Sequence, residues 1–480
     1  MEIVKNFISG EFSMGRSNDR IDLYEPATGK IYGYLNDSNI EDVNSAIAAA
    51  KAVFPLWSKL TVKDRSEFLI NISKEMSLRL NTFSKYETRD TGKPISLSNN
   101  LDIPRAIENF QFFADYIRKY NFTEHLNNNK SKNKIQRSPL GVVCCISPWN
   151  LPLYLFTWKI APALASGNTV VAKPSEIAPY TAYMLGDVCN RVGLPKGVLN
   201  IINGRGSTVG NHIVSHKEIK AISFTGGTST GKKIYENASS PLKKLSLEMG
   251  GKNPAIIFDD CDYELMINNL VRSCFLNQGQ ICLCSSRLLV QKTIYNRFKE
   301  DFCKKVSQLV IGNPLELDTE FGAISSKDQY KKIINYIALA RKEGARVLIG
   351  GNKVKLNGLC TNGWFIEPTI LEGLDQRSRL NQDEIFGPVV TLQSFNSIEQ
   401  AIDIANDTIY GLSSTIWTKD IEKGMDISKQ IDAGVIWINS WLIRDLRTPF
   451  GGMKHSGFGR EGGNEILNFF TEQKNICFPA

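Results

Sequence analysis

From Gly141 onward, short β-rich runs alternate with helical stretches of about ten to fifteen residues, and no other feature constrains the fold as much. Such alternation indicates βαβ units and a parallel, doubly wound sheet. The first series has predicted strands at 142–146, 169–172, 198–202, 221–224 and 254–258. A second series, from about 262 to 430, has predicted strands at 287–291, 346–349, 389–395 and 434–439. The sequence therefore predicts an α/β protein with two doubly wound parallel sheets, separated near 248–252, where Gly250-Gly251 interrupts the pattern.

The residues before this series predict a short antiparallel lead-in followed by helices. Residues 6–12 have strand composition around a Ser-Gly turn, and residues 26–29 form a second turn signal. Ser38 and Glu41 have the spacing of a capping box, a second helix is predicted to begin near Thr61, and a third covers 103–119 and carries Arg105.

Composition excludes several classes of protein. Of 480 residues, 42% are hydrophobic and 22% charged, as in soluble globular proteins. Ten cysteines without a secretory signal predict reduced thiols and a cytoplasmic protein. The uncharged stretch 138–158 is broken by prolines, so it predicts a buried strand and a Pro-rich turn rather than a membrane span.

Net charge is +8, yet the only dense basic cluster, within 130–137, has no interleaved aromatic residues. Nucleic-acid binding is therefore not expected, because stacking platforms are missing. A positive field that attracts a small anion remains open.

Glycine-rich turns follow several predicted strands, where parallel sheets bind ligands. The segment 224–231, Phe-Thr-Gly-Gly-Thr-Ser-Thr-Gly, follows a strand and opens a helix, so its free N–H groups favour an anion such as a pyrophosphate. The segment from Gly204 to Gly210 is a weaker dinucleotide-loop match. Lys173 and Ser175 can donate to ribose hydroxyls, and Glu176 can accept from a 2′-OH while repelling a 2′-phosphate, which favours NAD over NADP.

Three further segments carry candidate catalytic groups. An Asn-Gln-Gly-Gln loop presents the thiol of Cys282, a strong nucleophile once ionised. Glu248 stands at an apolar strand end, where a raised pKa would suit a general base. Asn150 lies between two prolines, which suits a fixed oxyanion donor. Glu384 and Phe386 add a carboxylate and an aromatic ring.

Metal binding is not expected. Cys282 and Cys284 lack zinc-type spacing and a second pair. His212 and His216 are four apart on a predicted helix, but no third ligand is suggested.

Taken together, these segments resemble the aldehyde dehydrogenase superfamily, over essentially the whole chain. Four segments are specific to it in combination: 148–150, 245–254, 275–282 and 384–388. The resemblance implies that Cys282 is the nucleophile, Glu248 the general base and Asn150 the oxyanion donor. It also implies an NAD site made by Ile146, Ser147, Pro148, Trp149, Lys173, Ser175, Glu176, Gly206, Phe224, Thr225, Gly226, Gly227, Thr228, Gly231, Glu384 and Phe386. Two positions differ from the residues usual in the family: Gly227 stands where serine is more common, and Ser229-Thr230 replaces a pair that often contains glutamate. The affinity for the cofactor is therefore left open.

A narrower resemblance points to the branch that oxidises 2-aminomuconic and 2-hydroxymuconic semialdehydes. It rests on 102–105, 146–154, 281–284 and 441–452. In that branch, arginines matching Arg105 and Arg444 hold the substrate's carboxylate and oxo groups, together with Asn150, so the expected partner is a small anionic aldehyde. The alternatives are another aldehyde substrate (betaine, aliphatic or aromatic), simple salt bridges for the two arginines, and a catalytically silent scaffold.

The resemblance also implies a domain organisation. An NAD domain is expected from 1–120 and 139–248, and a catalytic domain from 249–450. Segments 121–138 and 466–480 match the family's oligomerisation arm, so a homodimer or homotetramer is expected.

Overall fold

The computed structural model describes residues 1–238 and 242–480. Its strands are β1 (Glu2–Val4), β2 (Asn6–Ile8), β3 (Glu11–Ser13), β4 (Arg20–Glu25), β5 (Lys30–Asn36), β6 (Thr123–Asn127), β7 (Ser131–Pro139), β8 (Val142–Ile146), β9 (Thr169–Lys173), β10 (Leu199–Ile201), β11 (Ile219–Thr225), β12 (Lys244–Glu248), β13 (Asn253–Ile257), β14 (Ser285–Gln291), β15 (Arg346–Ile349), β16 (Lys353–Val354), β17 (Phe365–Ile366), β18 (Thr369–Glu372), β19 (Val389–Phe395), β20 (Tyr410–Gly411), β21 (Ser413–Trp417), β22 (Val435–Ile438), β23 (Met453–Lys454), β24 (Gly457–Phe458) and β25 (Thr471–Pro479).

The α-helices are α1 (Ile40–Trp57), α2 (Val62–Leu78), α3 (Leu80–Thr91), α4 (Ile95–Leu97), α5 (Ile103–Ile117), α6 (Pro152–Ala165), α7 (Tyr180–Arg191), α8 (Asn211–Ser215), α9 (Thr228–Asn237), α10 (Tyr263–Phe275), α11 (Tyr295–Ser307), α12 (Lys327–Lys342), α13 (Arg379–Gln382), α14 (Ile398–Asn406), α15 (Ile421–Ser428) and α16 (Gly463–Phe469). Two π-helical turns, Ser98–Asp102 and Gly206–Gly210, precede α5 and α8.

The first large sheet has the order β24-β12-β11-β8-β9-β10-β2-β3. Its five central strands are parallel, and β24, β2 and β3 extend the edges in antiparallel pairing. Because β9 and β10 lie on one side of β8 whereas β11 and β12 lie on the other, the strand order reverses between β8 and β11. In open α/β sheets, ligands bind at such a switch point, beyond the carboxyl ends of the strands.

The second large sheet has the order β15-β18-β19-β14-β13-β21-β22, parallel except for β15. The segment 249–252 connects it to β12 of the first sheet. A smaller sheet of order β25-β7-β6 is formed by the basic segment and the C-terminal strand. The predicted fold class, two doubly wound parallel sheets with a small additional β unit, is thus confirmed.

The strand predictions agree to within about two residues at each end, but β18 and β21 of the second sheet were missed, and of β12 only the end at Glu248 was recognised. The reason is visible in β21. Its hydroxyl residues Ser413, Ser414 and Thr415 are typical of loops, yet they are buried, and the Ser414 hydroxyl donates to the Pro254 carbonyl at 3.2 Å.

The capping box of α1 was also placed one residue early. Asn39 and Asp42 form it, not Ser38 and Glu41, whereas the predicted cap of α2 at Thr61 is confirmed.

The uncharged stretch contains β8, a turn at 147–151 and then α6, whose fourteen residues are all buried. Helix α6 packs against α5 and α2 on one face of the first sheet, so its first turn is rigidly placed beside the switch point. In the described parts of the chain, no helix has both the length and the apolar character that crossing a membrane requires.

Candidate functional site

Two cavities meet at Cys282. The first lies at the switch point of the first sheet, where Asn150, Gly226 and Glu384 are among its lining residues. The second is lined mainly by apolar side chains together with Glu248, Glu461 and two arginines. Cys282 lines both and therefore lies where they meet.

The first cavity is bordered by a helix N-terminus without a side-chain cap. The turn Gly226-Gly227 leads from β11 into α9, and among the described residues no side-chain cap hydrogen bond is made at the N-cap, Gly227. A Cβ atom at Gly227 would meet no atom within 4 Å, so the backbone there is accessible. These free N–H groups and the helix dipole suit an anionic group such as a pyrophosphate.

Farther along the same edge of the sheet, Lys173 and Glu176 form an ion pair of 3.1 Å. Burial acts against ionisation of Glu176, but Lys173 and the N–H of Gly206, 3.3 Å away, hold the pKa of its carboxyl below the usual value. The carboxylate is therefore charged at neutral pH. This is the residue expected to distinguish a ribose hydroxyl from a phosphate.

Glu384 and Phe386 reach the first cavity from the second sheet. The carboxylate of Glu384 accepts from the N–H of Gly251 at 3.0 Å, and the Phe386 ring packs edge-on against Trp149, with centroids 5.4 Å apart. The Phe386 segment is held by Gln329, whose side-chain amide donates to the carbonyls of Ile385 and Phe386 at 3.0 and 2.7 Å.

A loop with three consecutive left-handed residues presents the thiol. Asn277, Gln278 and Gly279 have φ of 52°, 56° and 69°. Such a conformation is unfavourable for the two non-glycine residues, so it requires support from its surroundings. The Gln278 side chain supplies it by donating to the Ala323 carbonyl at 2.8 Å, and at Gly279 a Cβ atom would lie only 2.3 Å from the Gly387 carbonyl oxygen.

The thiol of Cys282 is partly buried and faces acidic neighbours. Burial, followed by the charges of Glu384 and Glu248, raises its pKa to about 12, and Arg444 opposes the shift. Asn253 donates to the Cys282 carbonyl at 2.7 Å and so fixes the backbone next to the sulfur. Attack by this sulfur requires loss of the thiol proton, because the thiolate is the nucleophilic form.

Asn150 is held from several directions. Its Nδ2 donates to the Gln280 carbonyl at 2.8 Å, and its own main-chain carbonyl accepts from Lys93 Nζ at 2.9 Å and from Asn277 Nδ2 at 3.0 Å. The residue is 2% exposed. An amide fixed in this way needs no reorganisation when charge develops nearby, which is the requirement for an oxyanion donor.

Glu248 is as deeply buried but lacks such partners. It is 3% exposed, and neither carboxylate oxygen has a hydrogen-bond partner among the described residues. Burial and the neighbouring Glu461 raise the pKa of its carboxyl well above the usual value. Glu461 in turn is bound by Lys159 at 2.7 Å and by the Ser223 hydroxyl at 2.8 Å.

The second cavity contains two guanidinium groups in different surroundings. Arg105, on the first turn of α5, pairs with the half-exposed Glu108 at 3.0 Å. Arg444 stacks over Phe450, with its guanidinium carbon 4.0 Å from the ring centroid, and one of its nitrogens donates to the Tyr154 hydroxyl at 3.3 Å. Its Nη2 is buried and has no partner in residues 1–238 and 242–480. A buried unpaired donor that lines a cavity favours an anionic ligand.

Not every predicted cofactor residue reaches the first cavity. Those that line it are Pro148, Trp149, Thr225, Gly226, Gly227, Glu384 and Phe386. The side chains of Ile146 and Phe224 instead pack in the core below the switch point, where Phe224 is buried and Ile146 partly buried. Ser147, Lys173, Ser175, Glu176, Gly206, Thr228 and Gly231 lie along the same edge of the sheet but outside that cavity.

His212 and His216 lie close together, with ring centroids 5.8 Å apart, and His212 contacts Asn44 at 3.0 Å. In the described portion of the chain, no group of three or more potential ligands is placed to hold a metal ion.

Sequence reasoning missed the residues that support the site rather than form it. Lys93, Asn109, Asn253, Asn277 and Gln280 all use side-chain groups to bind main-chain atoms of site segments or their neighbours. The Asn-Gln-Gly-Gln loop was recognised, but only its thiol was assigned. For Asn277 and Gln280, their place in this loop was the available signal.

Comparison with known proteins shows the family of the chain. The model of the Aldehyde dehydrogenase family matches residues 12–476, and the chain therefore belongs to this family of enzymes. It is 44% identical to 2-aminomuconic semialdehyde dehydrogenase of Danio rerio, over 99% of this chain and 98% of that protein. It is 40% identical to 2-hydroxymuconic semialdehyde dehydrogenase of Pseudomonas sp. (strain CF600), over 99% of each. Betaine aldehyde dehydrogenase of Staphylococcus aureus, solved in complex with NAD+, has a TM-score of 0.95 and 36% identity, over 99% of this chain and 94% of that one.

Proposed function

We propose that the chain oxidises 2-aminomuconic or 2-hydroxymuconic 6-semialdehyde to the corresponding acid with NAD. The observation that carries the proposal is the position of Cys282 between two cavities, one bordered by uncapped N–H groups and the other containing Arg105 and Arg444. The relatives named above act, by their names, on semialdehydes of this kind.

In the proposed mechanism, the Cys282 sulfur bonds to the aldehyde carbon as the thiol passes its proton to water, and the carbonyl π electrons move to oxygen. The Asn150 amide and the Cys282 backbone N–H stabilise this oxyanion. Loss of the aldehyde hydrogen with its electron pair re-forms the carbonyl and leaves a thioester on Cys282. NAD would supply the hydride acceptor.

Glu248 is proposed to act in the second half of the reaction. It takes a proton from water, the hydroxyl adds to the thioester carbon, and the C–S bond breaks to return the thiolate and a free acid. A carboxylate with unsatisfied oxygens and a raised pKa suits this role, because a general base works best when its pKa is near the operating pH. Direct hydrolysis makes the proposed enzyme a non-acylating one.

The residues at the switch point fit NAD. The Gly226–Gly231 turn would hold the pyrophosphate, Lys173, Ser175 and Glu176 a ribose, and Glu384 and Phe386 the opposite end of the cofactor. Because the Glu176 carboxylate is ionised, it would repel the 2′-phosphate of NADP.

The two arginines support an anionic substrate. Guanidinium groups bind carboxylates through paired N–H donors, and a neutral or cationic aldehyde gains nothing from them. The unpartnered Nη2 of Arg444 is the donor that such a carboxylate or oxo group would satisfy. This distinguishes the proposal from a dehydrogenase for betaine, aliphatic or aromatic aldehydes.

The test is steady-state kinetics with NAD on five aldehydes: the two muconic semialdehydes, betaine aldehyde, propanal and benzaldehyde. We expect the highest kcat/KM with a muconic semialdehyde, no NADH formation by Cys282→Ala, and a preference for NAD over NADP that weakens in Glu176→Gln. A neutral or cationic aldehyde as best substrate would reject the substrate assignment. Absence of NADH with every aldehyde would reject the enzyme activity and favour a silent scaffold.

We also propose the predicted organisation into an NAD domain (1–120 and 139–248), a catalytic domain (249–450) and an oligomerisation arm (121–138 and 466–480) in a homodimer or homotetramer. Every residue of β25 after Thr471 is exposed, including Ile476 and Phe478, which supports burial of this strand against another subunit. Light scattering on the purified chain tests this. The cytoplasmic location stays a prediction.

A further inference from the structure

A fully buried cluster of charged groups lies next to Asn150. Lys93, Glu87 and Asp102 have no exposed surface. The Nζ of Lys93 contacts the Asp102 carboxylate directly and lies 4.0 Å from Oε1 of Glu87. Burying charges is unfavourable unless they are paired and hydrogen-bonded, so the geometry of such a cluster is tightly constrained.

The remaining contact of Lys93 goes to the site. Its Nζ donates to the main-chain carbonyl of Asn150 at 2.9 Å, and Asn277 donates to the same oxygen at 3.0 Å. A carbonyl oxygen has two lone pairs, so these two donors use its full capacity. The backbone of Asn150 is thereby clamped, and the direction of its side-chain amide is set by that backbone.

Through Asp102, the same ammonium group is also linked to the helix that carries Arg105, a residue lining the second cavity. Asp102 ends the π-helical turn that leads into α5, and Arg105 is the third residue of α5. Lys93 therefore connects Asn150 to the helix start that carries Arg105. No predicted role uses Lys93, Glu87 or Asp102.

We propose that Lys93 is a positioning residue that holds the Asn150 amide where the oxyanion forms and, through Asp102, keeps that amide in register with Arg105. The inference rests on the proposed function, because it takes Asn150 to be the oxyanion donor. Such positioning matters because an oxyanion donor acts only if it is fixed before charge develops. A misplacement of about 1 Å in an active site can cost roughly 10²-fold in rate.

The test measures acylation of Cys282 by p-nitrophenyl acetate, which develops an oxyanion without any cofactor, alongside the NADH-forming step with aldehyde. The variant Lys93→Met/Asp102→Asn removes the clamp and one charge of each sign. We expect both rates to fall about 30- to 100-fold, with the dissociation constant for NAD unchanged within twofold.

The decisive comparison uses the Asn150→Ala background. Asn150→Ala keeps the main-chain carbonyl that Lys93 binds but has no amide to position. If Lys93 acts through that amide, adding Lys93→Met/Asp102→Asn to Asn150→Ala causes no further loss of rate. An additive loss would show a merely structural role and overturn the inference.

Arg65→Met is the matched control. Arg65 is also a buried cation that binds a main-chain carbonyl, that of Ala165 at 2.9 Å, but at the far end of α6. It should lower the melting temperature and leave both rates within twofold. If the double variant does not fold, Lys93→Arg keeps the positive charge while displacing the donors, and the same non-additivity is expected of it.

Failure of the proposed function and failure of the Lys93 inference would give different results in these assays. Loss of the proposed function would appear as full acylation in Cys282→Ala or Asn150→Ala. Failure of the Lys93 inference alone would appear as a slow Asn150→Ala variant together with one of two results: a further, additive loss when Lys93→Met/Asp102→Asn is combined with it, or normal rates when Lys93→Met/Asp102→Asn is made in the otherwise unmodified chain.

Discussion

Asn150 and Glu248 are both buried beside Cys282, yet the chain holds them in opposite ways. Asn150 is bonded through its amide nitrogen and its carbonyl, to Gln280, Lys93 and Asn277. Glu248 has no hydrogen bond to either carboxylate oxygen in the described part of the molecule. The difference follows from their proposed tasks: a donor to a developing charge must be immobile in advance, whereas a base must keep an unsatisfied oxygen for the water it deprotonates.

The largest effect, on steady-state turnover, is expected from replacing the unpartnered carboxylate of Glu248. Glu248→Gln should keep a first-turnover burst of NADH, because thioester formation does not need the base, while steady-state turnover falls about 10²- to 10⁴-fold. Rapid-mixing absorbance followed by steady-state assay separates the two phases.

The pH profile gives this prediction a second readout. Because the pKa of Glu248 is raised, its basic form grows as pH increases above the usual glutamate range. Deacylation in the unmodified chain should therefore accelerate with pH, and Glu248→Gln should lose that rise. A variant with normal turnover would remove Glu248 from the base role.

The two arginines show the same contrast between a partnered and an unpartnered group, and the effects expected of their variants are smaller than that of Glu248→Gln. Among the described residues, Arg444 has a buried donor without a partner, whereas Arg105 is already paired with Glu108. A hydrogen bond to a charged group is worth about 1.5–3 kcal/mol, so Arg444→Ala should raise KM for a muconic semialdehyde roughly 10- to 100-fold, and Arg105→Ala should raise it less.

Propanal is the matched control substrate for both variants. Its KM should change little, because it has no anionic group for a guanidinium to bind. Equal KM changes for propanal and the semialdehyde would contradict the assignment of Arg444 and Arg105 to the substrate.

The contrast also explains which parts of the site could be predicted from sequence. Cys282, Glu248 and Asn150 were singled out as candidates because a thiol after a glycine loop, a carboxylate at an apolar strand end and an amide between prolines are local patterns, and the family resemblance supplied their proposed roles. The central strands were found for the same reason, from local hydrophobic runs bounded by turns. Lys93 could not be found in this way, since its contacts with Asp102 and Asn150 join segments that only the folded chain brings together. The buried hydroxyls of β21 were missed for a related reason, because burial is decided by neighbouring strands rather than by the residues themselves.

The charged cluster behind Asn150 should be visible in the pH dependence of stability. Burial, opposed by Lys93 and assisted by Asp102, raises the pKa of Glu87 to about 7, from an ordinary value near 4.5. Between these values the folded chain keeps a proton that the unfolded chain has released, so Glu87 makes the free energy of unfolding decrease as pH rises.

Glu87→Gln removes this titration and keeps one oxygen, which can still accept from the Thr181 hydroxyl as Oε2 does at 2.7 Å, while the longer 3.4 Å bond from the Leu153 N–H to Oε1 is lost. The loss of stability between pH 5 and 7 should therefore be smaller in the variant, by about 1–2 kcal/mol. Urea unfolding at each pH measures the difference. Parallel curves for the two proteins would mean that Glu87 does not titrate in this range.

The smallest effect is expected at Tyr154, which forms a hydrogen bond with Arg444. The Tyr154 hydroxyl accepts from an Arg444 nitrogen at 3.3 Å, and the rings of Phe450 and Trp158 add further support to the guanidinium group. A single hydrogen bond contributes about 0.5–1.5 kcal/mol, so Tyr154→Phe should raise KM for the semialdehyde roughly 2- to 10-fold. The value of kcat should hardly change, because neither Asn150 nor Glu248 bonds to this hydroxyl. Adding Tyr154→Phe to Arg444→Ala should have no further effect on KM. A fall in kcat instead would mean that the Tyr154 hydroxyl takes part in the chemical step. The contrast between the hydrogen-bonded Asn150 and the unpartnered Glu248 would then no longer describe all the groups that act on the reacting atoms.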